Sequence, residues 1–213
     1  EESNRQAINV LTNAAKRVGF VDVEFQYEPV AAGFEFEASL DKETRVLVVD
    51  IGGGTSDCSM LLMGPQFSGC TSRVEHLLAH SGVRVAGNDF DIQLALRGIM
   101  PSLGMNGTSK TGKPLPTSSF KQAIAINNIN EQTEFYSAKN RRDLAQLARD
   151  AQQSDVVGRL LTVHDKKLSY QLVNNAEQAK IALSESELQH INLNDISDGL
   201  SVEVNRELLR QAN

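Results

Sequence analysis

Between Arg45 and Met63 the chain reads RVLVVDIGGGTSDCSMLLM, and the residues that could do chemistry sit in its middle. Asp50 closes an apolar run, Gly52, Gly53 and Gly54 follow after Ile51, and Thr55, Ser56 and Asp57 come next. Glycine loses more backbone freedom on folding than any other residue, roughly 0.5–1 kcal/mol relative to alanine. Three in succession point to a place where something approaches the backbone closely. Bare amide N–H groups can cradle an anion, and the Thr55 hydroxyl can bond a phosphate oxygen. Asp50 and Asp57 would repel a phosphate directly, but they can hold magnesium through its waters, and the ion then bridges the two. An unliganded hairpin turn is the competing reading, although such a turn needs only one or two special residues.

The elements around the glycines decide which kind of phosphate loop this could be. Val46 to Val49 reads as a strand buried on both faces, Cys58 to Met63 as a second strand, and Val74 to Ala79 as a third. The glycines therefore lie at the tip of a hairpin. Loops that lead from a strand into a helix are excluded, and with them the dinucleotide fingerprint. Ahead of the hairpin, residues 3–18 place Ala7, Val10, Leu11, Ala14, Ala15 and Val18 on one helical face, with Ser3 as N-cap and Gly19 as stop. Residues 21–27 alternate as a strand, and Glu28-Pro29 opens a short helix of small residues.

Behind the hairpin, VAGNDFDIQLALRGIM changes to helical period near Gly87 and Asn88. Residues 101–119 are rich in Gly, Pro, Ser and Thr and read as a loop. Gly107, Gly112 and Lys113 within it imitate a phosphate loop, but Pro114 stands where Ser or Thr is needed and no strand precedes. Residues 120–163 read as helical and 166–183 as one long helix. Two short strands follow, QHINL and LSVEV, and then a helix capped by Asn205.

The 213 residues are 40% hydrophobic and 23% charged, with formal net charge −6, which is ordinary for a globular chain. That balance argues against non-specific nucleic-acid binding. No apolar run reaches the ~18 residues of a membrane span, and no secretory leader is visible. Cys58 and Cys70 read as small buried residues of a reducing, cytoplasmic compartment. His76, His80, His164 and His190 show no ligand spacing with them. The chain opens on Glu1 rather than Met and is expected to be a piece of a longer one.

VLVVDIGGGTSD resembles the second phosphate-binding hairpin of the actin-like ATPase superfamily, most of all its DnaK-type (heat-shock 70 kDa) chaperone branch. EPVAAGFEFEA, VAGNDFD and AEQAKIALSES are similar to that branch's flanking segments and occur in its order. The 101–165 insertion resembles the YegD-like group within it. The resemblance implies an α/β fold: a ribonuclease-H-like lobe with a mixed sheet (1–87 and 188–213) plus a mainly helical subdomain (88–187).

It also implies ATP or ADP with magnesium as ligands. Gly52, Gly53, Gly54, Thr55 and Gly87 would bind phosphates. Asp50 and Asp57 would belong to the metal and water network, with Glu28 and Asp50 in catalytic roles. Glu177, Lys180, Ile181 and Ser184 would line the adenosine. Glu177, Lys180 and Ser184 recur at i, i+3 and i+7, on one helix face. Client proteins and a nucleotide-exchange partner are the implied associates, with no nucleic acid and no membrane.

Three positions depart from the branch. Ile181 stands for an arginine that packs on adenine, which removes the cation–π contribution. Ala86 replaces a glycine and Asn88 an acid. The resemblance covers the second lobe only, without the first lobe's hairpin and lysine or a final Gly-Gly-Ser segment. Phosphoryl transfer depends on positioning and electrostatics from both sides, so this chain is expected to hydrolyse ATP negligibly. Other readings are a sugar or acetate kinase or a polyphosphate phosphatase of the superfamily, or a non-catalytic nucleotide-gated module.

Overall fold

The computed structural model describes residues 2–26, 28–67, 69, 70 and 73–211. The N-cap expected at Ser3, as a side-chain contact, and the strand residue Tyr27 lie outside what is described. The fold is mixed α/β, with a small antiparallel sheet, a separate two-stranded ladder and many helices. The chain divides into two compact units, residues 1–51 with 56–83, and residues 52–55 with 84–213.

The first unit opens with α1 (Glu2–Arg17). Gly19 adopts φ 102°, its N–H donates to Lys16 O, and the Phe20 N–H reaches back to Ala15 O. That pair of bonds is a Schellman closure, and the left-handed residue in it is the expected glycine. The expected apolar face of α1 stays exposed, with Val10 at 61% and Leu11 at 56%. Residues 21–26 form no strand, contrary to their alternation. A strand exists through the neighbour that takes its backbone hydrogen bonds, and these residues belong to no ladder.

Helix α2 (Glu28–Glu37) carries Pro29 in its first turn, where a missing N–H costs nothing. It lies against β2 through Gly33, where any added side chain would collide with Met63. Strands β1 (Thr44–Ile51), β2 (Ser56–Met63) and β3 (Leu77–Val83) form an antiparallel meander in the order β1-β2-β3. The β1–β2 register runs from Thr44↔Met63 to Asp50↔Asp57 and Ile51↔Ser56.

Val30, Leu61 and Met63 form this unit's core, with Leu40, Val46, Val48 and Leu77 packed against it. Strand β1 is therefore covered on one face only. Leu47 and Val49, expected inside, are more than half exposed, on the face of β1 opposite Val46 and Val48. Val74–His76 is a 3₁₀ turn, so β3 starts three residues later than expected. Cys58, on the open face, and Cys70, in a loop, are free and exposed, which corrects the expectation that they are buried.

The second unit is built on α3 (Gly87–Leu94), α4 (Ser118–Ile124), α5 (Ile129–Phe135), α6 (Ala138–Asp150), α7 (Ser154–Lys166) and α8 (Ser169–Ala182). The ladder β4 (Leu188–Asn192) with β5 (Ser201–Asn205) follows, and α9 (Arg206–Gln211) closes it. Its core joins Leu94, Ile99, Phe120, Phe135, Leu160, Leu172, Ala176 and Val204, among others. Beyond α3 the helical path continues through a π turn at Ala95–Ile99.

The helix expected over 166–183 begins only at Ser169, because Lys167 takes φ 57° and ends α7. The apparent phosphate loop around Lys113 is a tight turn, in which Ser109 N–H donates to Lys113 O, and no helix follows it directly.

Candidate functional site

The tip Gly52–Thr55 joins β1 to β2 and is held by the start of α3. Gly52 N–H closes the turn on Thr55 O at 2.9 Å. The carbonyls of Gly52 and Gly53 accept from the amides of Gly87 (3.1 Å) and Asn88 (2.8 Å). The first amides of a helix have no intrahelical acceptor, so α3 spends two of them on the tip. A Cβ at Gly87 would lie 3.4 Å from Gly52 O, at the edge of ordinary van der Waals contact.

The three tip glycines do not share one reason. None of them has positive φ. A side chain at Gly53 would press on Asn88, whose Oδ1 would lie 3.2 Å away. At Gly52 the nearest atom would be Thr55 O at 3.7 Å, an ordinary contact, and at Gly54 nothing lies within 4 Å. Among the described residues the Gly53 and Gly54 N–H groups have no hydrogen-bond partner. The tip is thus anchored by its carbonyls and leaves amides and open space on offer.

The same unit brings part of α8 against the start of α3. Lys180 Nζ lies 3.4 Å from Gly87 O and 2.6 Å from Asp91 Oδ1 in α3. Asp91 is almost fully buried. Burial raises its carboxyl above the usual range, the Lys180 ammonium works against that rise, and the Glu177 carboxylate adds to it. Of the residues expected to line adenosine, Glu177 and Lys180 therefore converge on α3. Ile181 is exposed at 54%, and Ser184, just past the helix, donates to Ile181 O.

Ala86, where the resemblance expects glycine, is fully buried, and its N–H bonds the Asp89 carboxylate at 3.0 Å. AGNDFD places the acids Asp89 and Asp91 at the start of a helix, and the sequence gives neither of them a partner. An acid at the third helical position is the legible sign for the first, whereas nothing local marks the second.

In the first unit Asp50 and Asp57 are cross-strand partners and share one face of the sheet. Like charges placed directly opposite each other are destabilising unless something offsets them. Hard carboxylate oxygens with room for waters suit magnesium, which keeps much of its hydration shell. Among the described residues no three His, Cys, Asp or Glu side chains come together as a direct metal cage. The pair therefore fits a cation held through water. Glu28, at the first turn of α2, is exposed.

No family model matches the chain. It is similar to the chaperone protein HscA of Proteus mirabilis (strain HI4320), at 36% identity over 83 residues, which are 38% of this chain and 12% of that protein. The match supports a distant relationship to the heat-shock 70 kDa-type chaperones. No helix among the described residues is long and apolar enough to cross a membrane.

Proposed function

We propose that the chain is the phosphate- and adenosine-side half of the nucleotide cleft of an ATP-binding, ATP-hydrolysing, chaperone-like protein. In this reading the chain belongs to a ribonuclease-H-like lobe of the actin-like ATPase superfamily, near its YegD-like group, and works in the cytoplasm. Phosphate oxygens take the amides of Gly53 and Gly54 and the hydroxyl of Thr55. Asp50 and Asp57, which flank the tip in sequence, hold a hydrated magnesium ion. Glu28 reports the state of the terminal phosphate. Glu177, Lys180, Ile181 and Ser184 supply the adenosine side, with Ile181 packing on the ring without a charge. Clients and an exchange partner engage the parent protein, and the isolated chain turns over no ATP.

The observation that carries the reading is Gly54. It has no unusual backbone angle, meets no protein atom where a side chain would be, and leaves its amide unclaimed. Folding alone gives it no reason to be glycine, whereas a phosphate approaching the backbone does.

Gly54→Val tests this with calorimetric titrations of ATP, ADP and pyrophosphate. A valine there has open space and should leave the melting temperature within a few degrees. Binding of all three should weaken at least about tenfold, the ~1.4 kcal/mol expected from losing one good phosphate contact. Equal binding by the folded variant and the native chain would sink the proposal.

A further inference from the structure

Two residues near Asp57, Ser59 and Gly82, are each costly where they stand, and His80 lies between them in the same corner of the sheet. Ser59 is buried at 1% exposure, and a buried hydroxyl is unfavourable unless it is bonded. Its cross-strand partner is His80, whose Nδ1 lies 2.9 Å from Ser59 Oγ. The cross-strand partner of Asp57 is Gly82, and glycine within a strand weakens it. Any side chain at Gly82 would collide with Asp57 Oδ1. The other end of the His80 ring, Nε2, lies 3.7 Å from that same oxygen. One arrangement accounts for both costs. Gly82 leaves room for the carboxylate to lean across β3, and His80, steadied from below by Ser59, meets it there.

We infer that His80 is a positioning residue for Asp57. It fixes Oδ1 and so presents Oδ2 to the hydrated magnesium ion. This inference rests on the proposed role of Asp57. The ring offers the same face to Asp57 in either charge state. When neutral, it accepts the Ser59 hydroxyl proton at Nδ1 and carries its own proton on Nε2. When charged, it donates from Nδ1 to Ser59 Oγ and turns its Nε2–H toward the Asp57 carboxylate as an ion pair. The remaining tautomer would aim a lone pair at the carboxylate and is disfavoured by repulsion. Partners that orient direct metal ligands typically contribute ten- to hundredfold to metal affinity; Asp57 acts through water, so His80 stands at the lower end of that range.

The test is the magnesium dependence of ATP binding by this chain, measured by calorimetry with magnesium and again with EDTA. The native chain should bind more tightly with magnesium. His80→Ala should lose about tenfold or more of that gain while its affinity in EDTA stays native. His80→Gln, whose amide can still donate, should recover part of it. Gly82→Ala, which displaces the carboxylate while keeping His80, should lose the gain as well and serves if His80→Ala does not fold. A folded His80→Ala or Gly82→Ala variant with the native magnesium gain overturns the inference and leaves the phosphate reading standing. Magnesium-independent binding by the native chain overturns it too. No ATP binding by the native chain under either condition overturns the phosphate reading and this inference together.

Discussion

Arg73 and Glu37 face each other where water scarcely reaches, with side chains 3% and 7% exposed. Two guanidinium nitrogens donate to the two carboxylate oxygens at 2.7 Å each, and the Gly64 N–H adds a third bond at 2.9 Å. Phe34 and Phe67 lie 5.8 and 5.7 Å from the guanidinium carbon, close enough for cation–π attraction. Removing one partner leaves the other charge buried and unpaired, which costs about 3–5 kcal/mol. Arg73→Met should lower the stability of the first unit by about that much in urea denaturation, and Arg73→Met with Glu37→Leu should recover most of it. The hydrogen bonds from Arg73 hold the Glu37 carboxyl below its usual value of 4.5, against the opposing effect of burial. The stability this contributes is present above that usual value and is lost as pH falls through the lowered one. Asp91 has the opposite sign. Burial raises it, so its contribution is full at acid pH and is lost as pH rises through the raised value.

At the scale of elements, the caps show what a sequence can and cannot say. Asn205 is a local signal, and its Oδ1 accepts the Leu208 N–H at 2.8 Å. Asn205→Ala should destabilise by about 1 kcal/mol, visible as a drop in urea midpoint with an unchanged slope. Gly19 was legible in the same way, as was the α2 start at Glu28-Pro29. The hairpin and the placing of its two acids at the tip were legible because the signal lies within eight consecutive residues. What failed was non-local. Residues 21–26 alternate correctly but lack a ladder, and Lys167 breaks a helical pattern by adopting a left-handed conformation that no local rule assigns to lysine. Strand β1 is apolar on both faces yet covered on one. The pairing of Lys180 with Asp91 and of His80 with Asp57 joins distant parts of the chain, and one sequence carries no sign of such pairs.

At the scale of the whole molecule, the two units are unequally built. The second has a continuous core running from Leu94 to Val204, whereas the first rests on Val30, Leu61, Met63 and a few half-buried neighbours. Buried apolar area is the main favourable contribution to folding, so the first unit should open first. Its stability also falls in acid through Glu37, whereas Asp91 in the second unit works the other way. Hydrogen exchange should therefore show amides in 44–63 exchanging faster than those in 94–103 and 172–183, with the gap widening below pH 4.5. Uniform protection at both pH values would contradict this.

The sheet order β1-β2-β3 leaves β1 and β3 each with one unpaired backbone edge among the described strands. Leu47, Val49, Ile51 and Val83 add exposed apolar side chains beside those edges. Strands of this kind are templates for one another. The isolated chain is thus colloidally fragile: its monomer fraction should fall with concentration, and its working range is set by strand-to-strand adhesion before the stability of the native fold becomes limiting.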